Sequence, residues 1–265
     1  MLIRIEIILD NRVVVIVPCF NEADRLNLFY FNELSKIQNT IWIFIDDGST
    51  DNTSQILKKH SVKTNVMNLR IDHNVGKSKA IAHGVDFASH EFSNIKWIGF
   101  LDSDGAFALE DISRIIKMAN SIKRYDAIYS SRVKMAGRNI KRNNARHIVA
   151  RLITSLFGLV WREIPYDTQS GFKLYRYSDD YKSMFIEPFK TKWFFDIEFS
   201  IRYLKYKEKV INVWEEPVTS WFDIPGSKIN YRQVFRISLE VVYIFFSLLS
   251  KRKKPSDLFR PAQTY

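Results

Sequence analysis

The sequence predicts an α/β domain built around a doubly wound, mostly parallel sheet. Apolar runs such as VVVIV (Val13–Val17) and IWIFI (Ile41–Ile45) alternate with helix-like segments from residue 12 to about residue 131. These runs are apolar at consecutive positions, which is typical of strands that are covered by helices on both faces. Ligands of such sheets bind beyond the carboxyl ends of the strands, so we expect the loops at those ends to carry the function.

The elements of this first part follow a regular order. The predicted strands are Val13–Val17, Ile41–Ile45, Thr64–Leu69, Trp97–Leu101 and Ala127–Ser130. The predicted helices between them are Glu22–Leu34, Asn52–Lys59, Lys77–Ala88 and Leu109–Ser121. Residues Met1–Leu9 alternate charged and aliphatic side chains and are followed by Asp10 and Asn11, which favours a further strand over a secretory signal peptide.

After the fifth strand the regular alternation stops. A basic stretch leads into an apolar helix predicted at His147–Trp161, and the segment YDTQSGFKLY (Tyr166–Tyr175) is predicted to return to the sheet. A helix over about Trp193–Lys205 and a strand over Val210–Trp214 follow. The sequence contains no internal repeat or low-complexity linker, which favours one domain with a C-terminal appendage.

Composition and charge narrow the class of protein. The chain has 265 residues, of which 46% are hydrophobic, enough for a buried core. The single cysteine, Cys19, excludes an internal disulfide framework, and no cysteine or histidine spacing indicates zinc, so we expect a reducing compartment. A formal charge of +11 implies an anionic partner, which could be nucleic acid, a phosphorylated small molecule or a membrane surface.

The positive charge is concentrated in two stretches. The first has no acid among its basic residues, which are Arg132, Lys134, Arg138, Lys141, Arg142, Arg146 and Arg151. The second is Lys251–Lys254. Such stretches are either solvated faces or contacts for an anionic partner. The longest uncharged apolar run near the C terminus, Val241–Leu249, is shorter than the ~20 residues that a membrane-spanning helix needs, so we expect no membrane crossing.

Four loops at the predicted strand ends carry acids or amides. They are PCFNE (Pro18–Glu22), DDGST (Asp46–Thr50), DHNVGK (Asp72–Lys77) and DSDGA (Asp102–Ala106). Each loop alone is typical of a turn or a helix cap, but four on one edge of a sheet favour a shared polar site.

The DSDGA loop and the lack of a phosphate-binding loop together indicate a cation site. Carboxylates two positions apart on an extended segment point in different directions, so Asp102 and Asp104 can serve two ligands. Such hard oxygen ligands suit Mg²⁺ or Mn²⁺, which also bind diphosphate oxygens. Neither GxGxxG after the first strand nor GxxxxGK[ST] is present. A bound diphosphate would therefore need a cation and basic residues.

These motifs resemble those of a known family. PCFNE, IDDGSTDNT, HNVGKSKAIAHG and FLDSDG, in this order and spacing, are similar to the family 2 inverting glycosyltransferases, which have the A-type nucleotide-sugar-binding fold. The resemblance extends from about Val13 to Val218. DTQSGFKLYR and WFFDIEFSIRYL look most like the polyprenyl-phosphate branch, in particular the dolichyl-phosphate β-glucosyltransferases.

The resemblance implies a division of the chain and a donor site. Residues 1–222 would form the catalytic domain, with a nucleotide-sugar half at about 12–131 and an acceptor half at about 132–222. Residues 223–265 would form an amphipathic helix and basic tail. Asp46 would meet the base, Asp102 the ribose or sugar, and Asp104 the Mg²⁺ or Mn²⁺ that bridges the diphosphate. The full set implied for the nucleotide sugar is Pro18, Asn21, Glu22, Asp46, Lys77, Asp102 and Asp104.

The resemblance also implies catalytic and acceptor residues. Asp196 falls on the Asp of the family's Glu-Asp pair, which supplies the catalytic base, but Phe195 stands in place of the Glu. Asp196 is therefore expected either to act as base or to orient the acceptor, and Asp167 is a second catalytic candidate. The residues expected to contact the acceptor or its phosphate are Arg132, Gln169 and Lys173.

The implied reaction is inverting transfer of a hexose, with UDP-glucose favoured as donor, to polyprenyl or dolichyl phosphate. Alternatives are a mannosyltransferase that uses GDP-mannose, a transferase acting on a soluble glycan hydroxyl, and an inactive protein that retains the fold. A nucleic-acid-binding module would leave the four acidic loops unexplained, so no nucleic-acid partner is expected. We expect a cytoplasmic enzyme, peripheral at the cytoplasmic face of a membrane. Its C-terminal helix could lie in the membrane interface, pack on the core or pair with a second copy.

Overall fold

The computed structural model describes residues 12–60, 63–141, 165–222 and 231–249, together with Ser155. The strands are β1 (Arg12–Cys19), β2 (Thr40–Asp47), β3 (Val66–Ile71), β4 (Ile95–Leu101), β5 (Ala127–Ser131), β6 (Asn139–Lys141), β7 (Phe172–Arg176), β8 (Val213–Pro217) and β9 (Ser220–Phe222). The helices are α1 (Leu28–Leu34), α2 (Thr53–His60), α3 (Lys77–Glu91), α4 (Leu109–Ser121), α5 (Asp179–Ser183), α6 (Phe195–Lys207) and α7 (Tyr231–Leu249).

Among these residues, seven strands form one sheet in the order β3-β2-β1-β4-β7-β5-β8. Neighbouring strands run parallel, except that β7 is antiparallel to both β4 and β5. The predicted α/β class with a mostly parallel sheet is therefore confirmed. The reversed strand β7 begins where β4 ends, because Phe172 pairs with Leu101. A separate two-stranded sheet pairs β6 with β9.

Helices cover both faces of the large sheet. On one face, Phe31 of α1 and Ile112 of α4 belong to a buried cluster with Val13 and Trp42 of the sheet. The other face carries a second buried cluster, to which α3 and α6 contribute. Because both faces are buried, the strands can be apolar at every position, and β2 is buried throughout its length.

The first helix begins later than the sequence predicted. It was expected from Glu22, but α1 begins at Leu28, and Asn27 caps it by accepting the N–H of Tyr30. Asn21 has a positive φ of 52°, and the N–H of Glu22 donates to the hydroxyl of Thr53 at 2.8 Å. Contacts with the neighbouring loop thus hold this segment in an irregular conformation, which helix propensity alone does not reveal.

Several other predicted boundaries were wrong by two or three residues, including the starts of two strands and one helix. β3 begins at Val66 rather than at residue 64, because the Asn65 side chain donates to the carbonyls of Ser35 and Thr40. β8 begins at Val213 rather than at residue 210, where its register with β5 starts. The helix predicted from residue 193 begins at Phe195, since the backbone N–H groups of residues 192 and 193 donate to a side chain of α7.

The C-terminal helix α7 has two apolar faces. On one face Ile244 is fully buried against Phe194, Ile197 and Ile201. The opposite side exposes Leu239 (53%), Val242 (51%), Phe245 (40%) and Phe246 (65%). None of the helices in the described residues has the length and apolarity to span a membrane.

Several sequence predictions lie wholly or partly outside the described residues. They are the strand at residues 1–9, the basic cluster at 251–254, Arg142, Arg146 and Arg151 of the first basic stretch and, apart from Ser155, the helix at 147–161.

Candidate active site

A cavity of about 340 Å³ opens at the carboxyl ends of β1 to β4. All four polar loops singled out in the sequence contribute to it, as expected for parallel strands whose ends meet at one edge. Its lining residues are Pro18, Cys19, Phe20, Glu22, Arg25, Asp47, Asn74, Gly76, Lys77, Asp102, Ser103 and Asp104.

Asn21 joins the loops after β1 and β2 through two hydrogen bonds. Its side-chain Oδ1 accepts the N–H of Thr50 at 2.9 Å, and its backbone N–H donates to Ser49 Oγ at 3.0 Å. Asn21 does not line the cavity itself, but its hydrogen bonds hold together two loops that contribute to the lining. The adjacent Glu22 does line it, and Arg25 pairs with the Glu22 carboxylate at 2.5 Å. Burial raises the pKa of Glu22 despite that arginine.

The two adjacent acids at the end of β2 face different environments. Asp46 accepts the N–H of Ser49 at 2.9 Å and is paired with Arg70 at 2.8 Å, outside the cavity lining. Asp47 lines the cavity and accepts the N–H groups of Val75 and Gly76, each at 2.8 Å. The side chain expected to meet the base is therefore held by Arg70, and its neighbour is the one that borders the cavity.

Lys77 and Asp102 form an ion pair on the cavity wall. Lys77 Nζ lies 2.5 Å from Asp102 Oδ1 and also sits over the rings of Phe100 and Phe195. Burial lowers the pKa of the Lys77 ammonium, but the carboxylates of Asp102 and Asp196 outweigh this effect, so the net pKa is raised. Lys77 is therefore charged at neutral pH and presents its ammonium group to the cavity.

Asp104 has little internal compensation for its charge. Its Oδ1 accepts the N–H of Ala106 at 3.1 Å, and no salt bridge to Asp104 is found within the described residues. Burial and the nearby Asp102 carboxylate raise the pKa of Asp104. A bound cation would relieve this repulsion, so the site fits a divalent metal. The described residues hold no cluster of three or more Asp, Glu, His or Cys side chains suited to a metal. Further ligands would have to come from a bound substrate.

Gly171 allows the acceptor half to approach this wall. A Cβ at position 171 would lie 2.3 Å from Asp102 Oδ2, which is far inside van der Waals contact. The N–H of Asp102 also donates to the Gly171 carbonyl at 2.9 Å. The glycine of the SGF segment is thus required by close packing against the donor site.

Arg132 and Asp167 form a closed, largely buried pair beside that segment. Arg132 contacts Asp167 through Nε at 2.7 Å and through a terminal nitrogen at 2.8 Å, and it also donates to the Gln169 carbonyl. The backbone N–H of Asp167 donates to Glu215 at 2.9 Å. In this geometry both side chains brace the segment and lie outside the cavity lining.

A second buried pair joins Lys173 of β7 to Asp196 at the start of α6. Lys173 Nζ lies 2.7 Å from Asp196 Oδ1, with an angle outside hydrogen-bond geometry, and donates to the Thr168 carbonyl at 2.7 Å. Lys173 is 0% exposed, so the phosphate contact expected for it is not available in this conformation. Gln169 is nearby in the chain and donates to the Trp193 carbonyl at 3.4 Å.

The structure therefore divides the predicted residues into two sets. Those that line the cavity are Pro18, Glu22, Lys77, Asp102 and Asp104, and those that do not are Asn21, Asp46, Arg132, Asp167, Gln169, Lys173 and Asp196. Sequence reasoning assigned no role to Arg25, Asp47 or Asn74. Asp47 and Asn74 lie within the predicted loops, so loop membership could have found them. Arg25 lies in the segment that was predicted to be helical.

Comparison with known proteins identifies relatives over most of the chain. The profile of the family described as Glycosyl transferase family 2 matches residues 14–184. The dolichyl-phosphate beta-glucosyltransferase of Saccharomyces cerevisiae is 30% identical over 241 residues, covering 81% of this chain and 68% of the yeast protein. The enzyme of the same name from Dictyostelium discoideum is 28% identical, with 89% and 74% covered.

Solved structures share the fold at low sequence identity. A mannosyltransferase from Pyrobaculum calidifontis, in complex with GDP-Man and Mn²⁺, has a TM-score of 0.63 at 13% identity and covers 94% of this chain and 67% of that chain. Glucosyl-3-phosphoglycerate synthase from Mycobacterium tuberculosis, in complex with UDP, has a TM-score of 0.61 at 14% identity, with 90% and 80% covered. At such identities the likeness shows the fold alone.

Proposed function

Because this chain belongs to glycosyl transferase family 2 and is a glycosyltransferase, we propose that it transfers glucose from UDP-glucose to a polyprenyl phosphate such as dolichyl phosphate. The observation that carries the proposal is the cavity at the strand ends, where Lys77, Asp102 and Asp104 stand together. The similarity to dolichyl-phosphate beta-glucosyltransferases supports the choice of donor and acceptor.

The donor is proposed to lie along the cavity with its nucleoside between the loops after β1 and β2. Pro18, Glu22 and Asp47 form that part of the lining, and Asp46 contributes by holding Arg70. Asp102 is assigned to the ribose or sugar. Lys77 is a fixed positive charge toward the diphosphate, because its Nζ is held at 2.5 Å by Asp102.

Asp104 is the proposed metal ligand. Mg²⁺ or Mn²⁺ at this carboxylate would neutralise charge on the leaving diphosphate. The solved structures of fold neighbours that contain Mn²⁺ support a divalent cation. The chain itself provides Lys77 and Arg25 as further positive charges on the same wall.

The reaction is proposed to be a single in-line displacement. An oxygen of the acceptor phosphate forms a bond with the anomeric carbon, while the bond from that carbon to the diphosphate breaks and its electron pair leaves with the nucleotide. Configuration at carbon therefore inverts. A phosphate monoester with a second pKa of about 6 is largely ionised at neutral pH and needs little deprotonation. Asp196 is accordingly assigned to orientation of the acceptor or sugar.

The exposed face of α7 is proposed to rest on the surface of a membrane that contains anionic lipid. Leu239, Val242 and Phe246 are exposed on one side of this helix, and Lys251–Lys254 follow it in the sequence. Apolar side chains beside clustered basic residues are typical of interfacial helices, and each basic residue contributes about 1 kcal/mol near an anionic surface. We place the enzyme on the cytoplasmic face, as the sequence suggested.

A transfer assay tests the donor and acceptor together. Radiolabelled UDP-glucose, GDP-mannose and UDP-N-acetylglucosamine are incubated separately with dolichyl phosphate in detergent and Mn²⁺, and the product is extracted into organic solvent. We expect label in the organic phase with UDP-glucose. Label in the organic phase with GDP-mannose instead of UDP-glucose would show that the proposed donor is wrong. Label that stays in a water-soluble product would refute the lipid acceptor.

Vesicle flotation tests the membrane surface. The triple variant with Leu239→Ser, Val242→Ser and Phe246→Ser is expected to lose binding to vesicles that contain phosphatidylserine. Phe29→Ser is the matched control, because Phe29 is 71% exposed on the distant helix α1. Equal flotation of the triple variant and the wild type would refute a role for this face.

A further inference from the structure

Burial of the Lys173 ammonium group is energetically unfavourable unless an opposite charge lies close to it. It is fully buried in β7, and its Nζ lies over the rings of Phe100 at 5.4 Å and Tyr129 at 4.9 Å. The side chain on this face of β7 points toward α6, whereas Phe172 and Leu174 pack on the opposite face of the sheet. An ammonium group in such surroundings needs an opposite charge, and Asp196 supplies it at 2.7 Å.

The pair is adjacent to the donor site without being part of the cavity wall. Phe100 has two ammonium groups over its ring, that of Lys77 at 5.2 Å and that of Lys173 at 5.4 Å. Phe195 packs on Phe100 with ring centroids 5.4 Å apart, at the position where the family's Glu-Asp pair has its glutamate. The two ion pairs thus share contacts with Phe100, and the charges of Lys77 and Asp102 also act on Asp196.

Each charged group of the Lys173–Asp196 pair favours the charged form of the other. Burial raises the pKa of Asp196, and the positive charges of Lys173 and Lys77 counteract it. Burial lowers the pKa of Lys173, and Asp196 counteracts that shift. Since Phe195 brings no second carboxylate to this point, Lys173 has Asp196 as its ion-pair partner among the described residues.

We propose that Lys173 is a positioning residue that fixes the Asp196 carboxylate for orientation of the acceptor. This inference rests on the role proposed for Asp196 in glycosyl transfer. It replaces the direct phosphate contact that the sequence suggested for Lys173. The lysine acts through Asp196 and touches no substrate.

A mutant cycle on the full chain tests this coupling. Lys173→Met keeps the length of the side chain without its charge, and we expect kcat to fall about 100-fold while KM for UDP-glucose stays unchanged. If Lys173 acts through Asp196, the double variant Lys173→Met/Asp196→Asn has the same kcat as Asp196→Asn alone. Independent effects that multiply in the double variant would overturn the proposal, as would wild-type kcat in Lys173→Met.

A matched control separates positioning from stability. Arg176→Met removes another cation of β7, which lies over Trp97 and donates to the carbonyls of Ile122, Lys123 and Tyr125. We expect this variant to have a lower Tm and unchanged kcat below that temperature. If Arg176→Met and Lys173→Met lose kcat in parallel with Tm, the role of Lys173 is structural and the proposal fails.

The pH dependence of kcat gives a second readout. Without Lys173 the pKa of Asp196 rises further, so the acidic limb of the profile is expected to move to higher pH. Other titratable groups face Asp196 from the elements packed around it and are left intact in the variant, namely Lys77, Asp102, Tyr129, Tyr175 and Tyr181. Superimposable profiles would overturn the proposal.

The proposed function can fail separately from this inference. If the wild type transfers no glucose to dolichyl phosphate, the proposed acceptor is wrong, and the mutant cycle is then measured with whichever acceptor is glycosylated.

Urea unfolding of the same variants tests whether Lys173 and Asp196 form a stabilising ion pair. We expect Lys173→Met to be less stable than the double variant, because only the single variant leaves a buried carboxylate without its cation. Equal stability would contradict the pairing.

Discussion

The donor and acceptor halves differ at one of their candidate site carboxylates, Asp104 of the donor half. In the acceptor half, Asp167 is closed by Arg132 and Asp196 by Lys173. In the donor half, Asp102 has Lys77, but the neighbouring Asp104 has no salt bridge among the described residues. Among the described residues, the candidate catalytic acids of the acceptor half therefore have cationic partners within the chain, whereas Asp104 of the donor half leaves negative charge for a ligand to neutralise. A nucleotide diphosphate is itself anionic, so this comparison again favours a cation.

The largest expected effect comes from removing Asp104, which has no salt bridge among the described residues. Asp104→Asn should lower the rate of glucose transfer about 1000-fold, by analogy with the loss of one electrostatic contact to a developing charge. The fold should persist, because the substitution removes a repulsion with Asp102. Transfer is measured with labelled UDP-glucose, and Tm is measured on the same sample.

Asp72→Asn is the control for this variant. Asp72 lies in the loop after β3, is exposed and does not line the cavity, so activity should be unchanged. Full activity of Asp104→Asn in the presence of a chelator would show that the donor half needs no cation at this position.

The next effect concerns the buried Arg132–Asp167 pair of the acceptor half. Arg132→Met removes the guanidinium group that contacts the buried Asp167 carboxylate and should lower the free energy of unfolding by about 3 kcal/mol. Lys209→Met is the matched control, since its pair with Asp126 is exposed and should contribute about 1 kcal/mol or less. Urea denaturation measures both. Equal losses would mean that the acceptor half is not stabilised by its buried pairs.

A smaller effect is expected where α7 joins the acceptor half. Glu240 accepts the backbone N–H groups of Lys192 at 3.0 Å and Trp193 at 2.9 Å, just before α6. Glu240→Ala should therefore cost about 1.5 kcal/mol of unfolding free energy. The adjacent Leu239→Ala is a control, because Leu239 is exposed. A loss with Leu239→Ala as large as with Glu240→Ala would argue against the tether.

The smallest effect is a pH-dependent difference at Glu22. Its pKa is raised in the folded protein, chiefly by burial, so the stability it contributes is present below the unfolded pKa and is lost as pH rises through the folded pKa. The Tm of Glu22→Gln relative to wild type should therefore rise by roughly 2 °C between pH 4 and pH 7. Differential scanning fluorimetry in a pH series detects this, and a constant difference would exclude the raised pKa.

The sequence was most informative where local pattern and fold agree. Consecutive apolar residues in β1 and β2 predicted strands buried on both faces, and loop positions predicted the cavity. The prediction that a helix begins at Glu22 was wrong, because loop contacts through Asn21 and Thr53 outweigh helix propensity in this segment.

Side-chain direction was less accessible from the sequence. Adjacent residues of a strand point to opposite sides, so Asp46 and Asp47 enter different environments, and sequence alone does not say which one faces the cavity. The burial of Lys173 depends on where α6 packs, which no local pattern of β7 contains.

The alternation of side chains along β7 restricts where residues can be inserted into this enzyme. Lys173 and Tyr175 share one side of the sheet, and Phe172 and Leu174 share the other. Inserting a single residue within β7 before Lys173 would exchange the two sides and place a lysine where an aliphatic core is packed. Tolerated insertions should therefore be confined to the surface loops on either side, and libraries that vary chain length can leave this strand untouched.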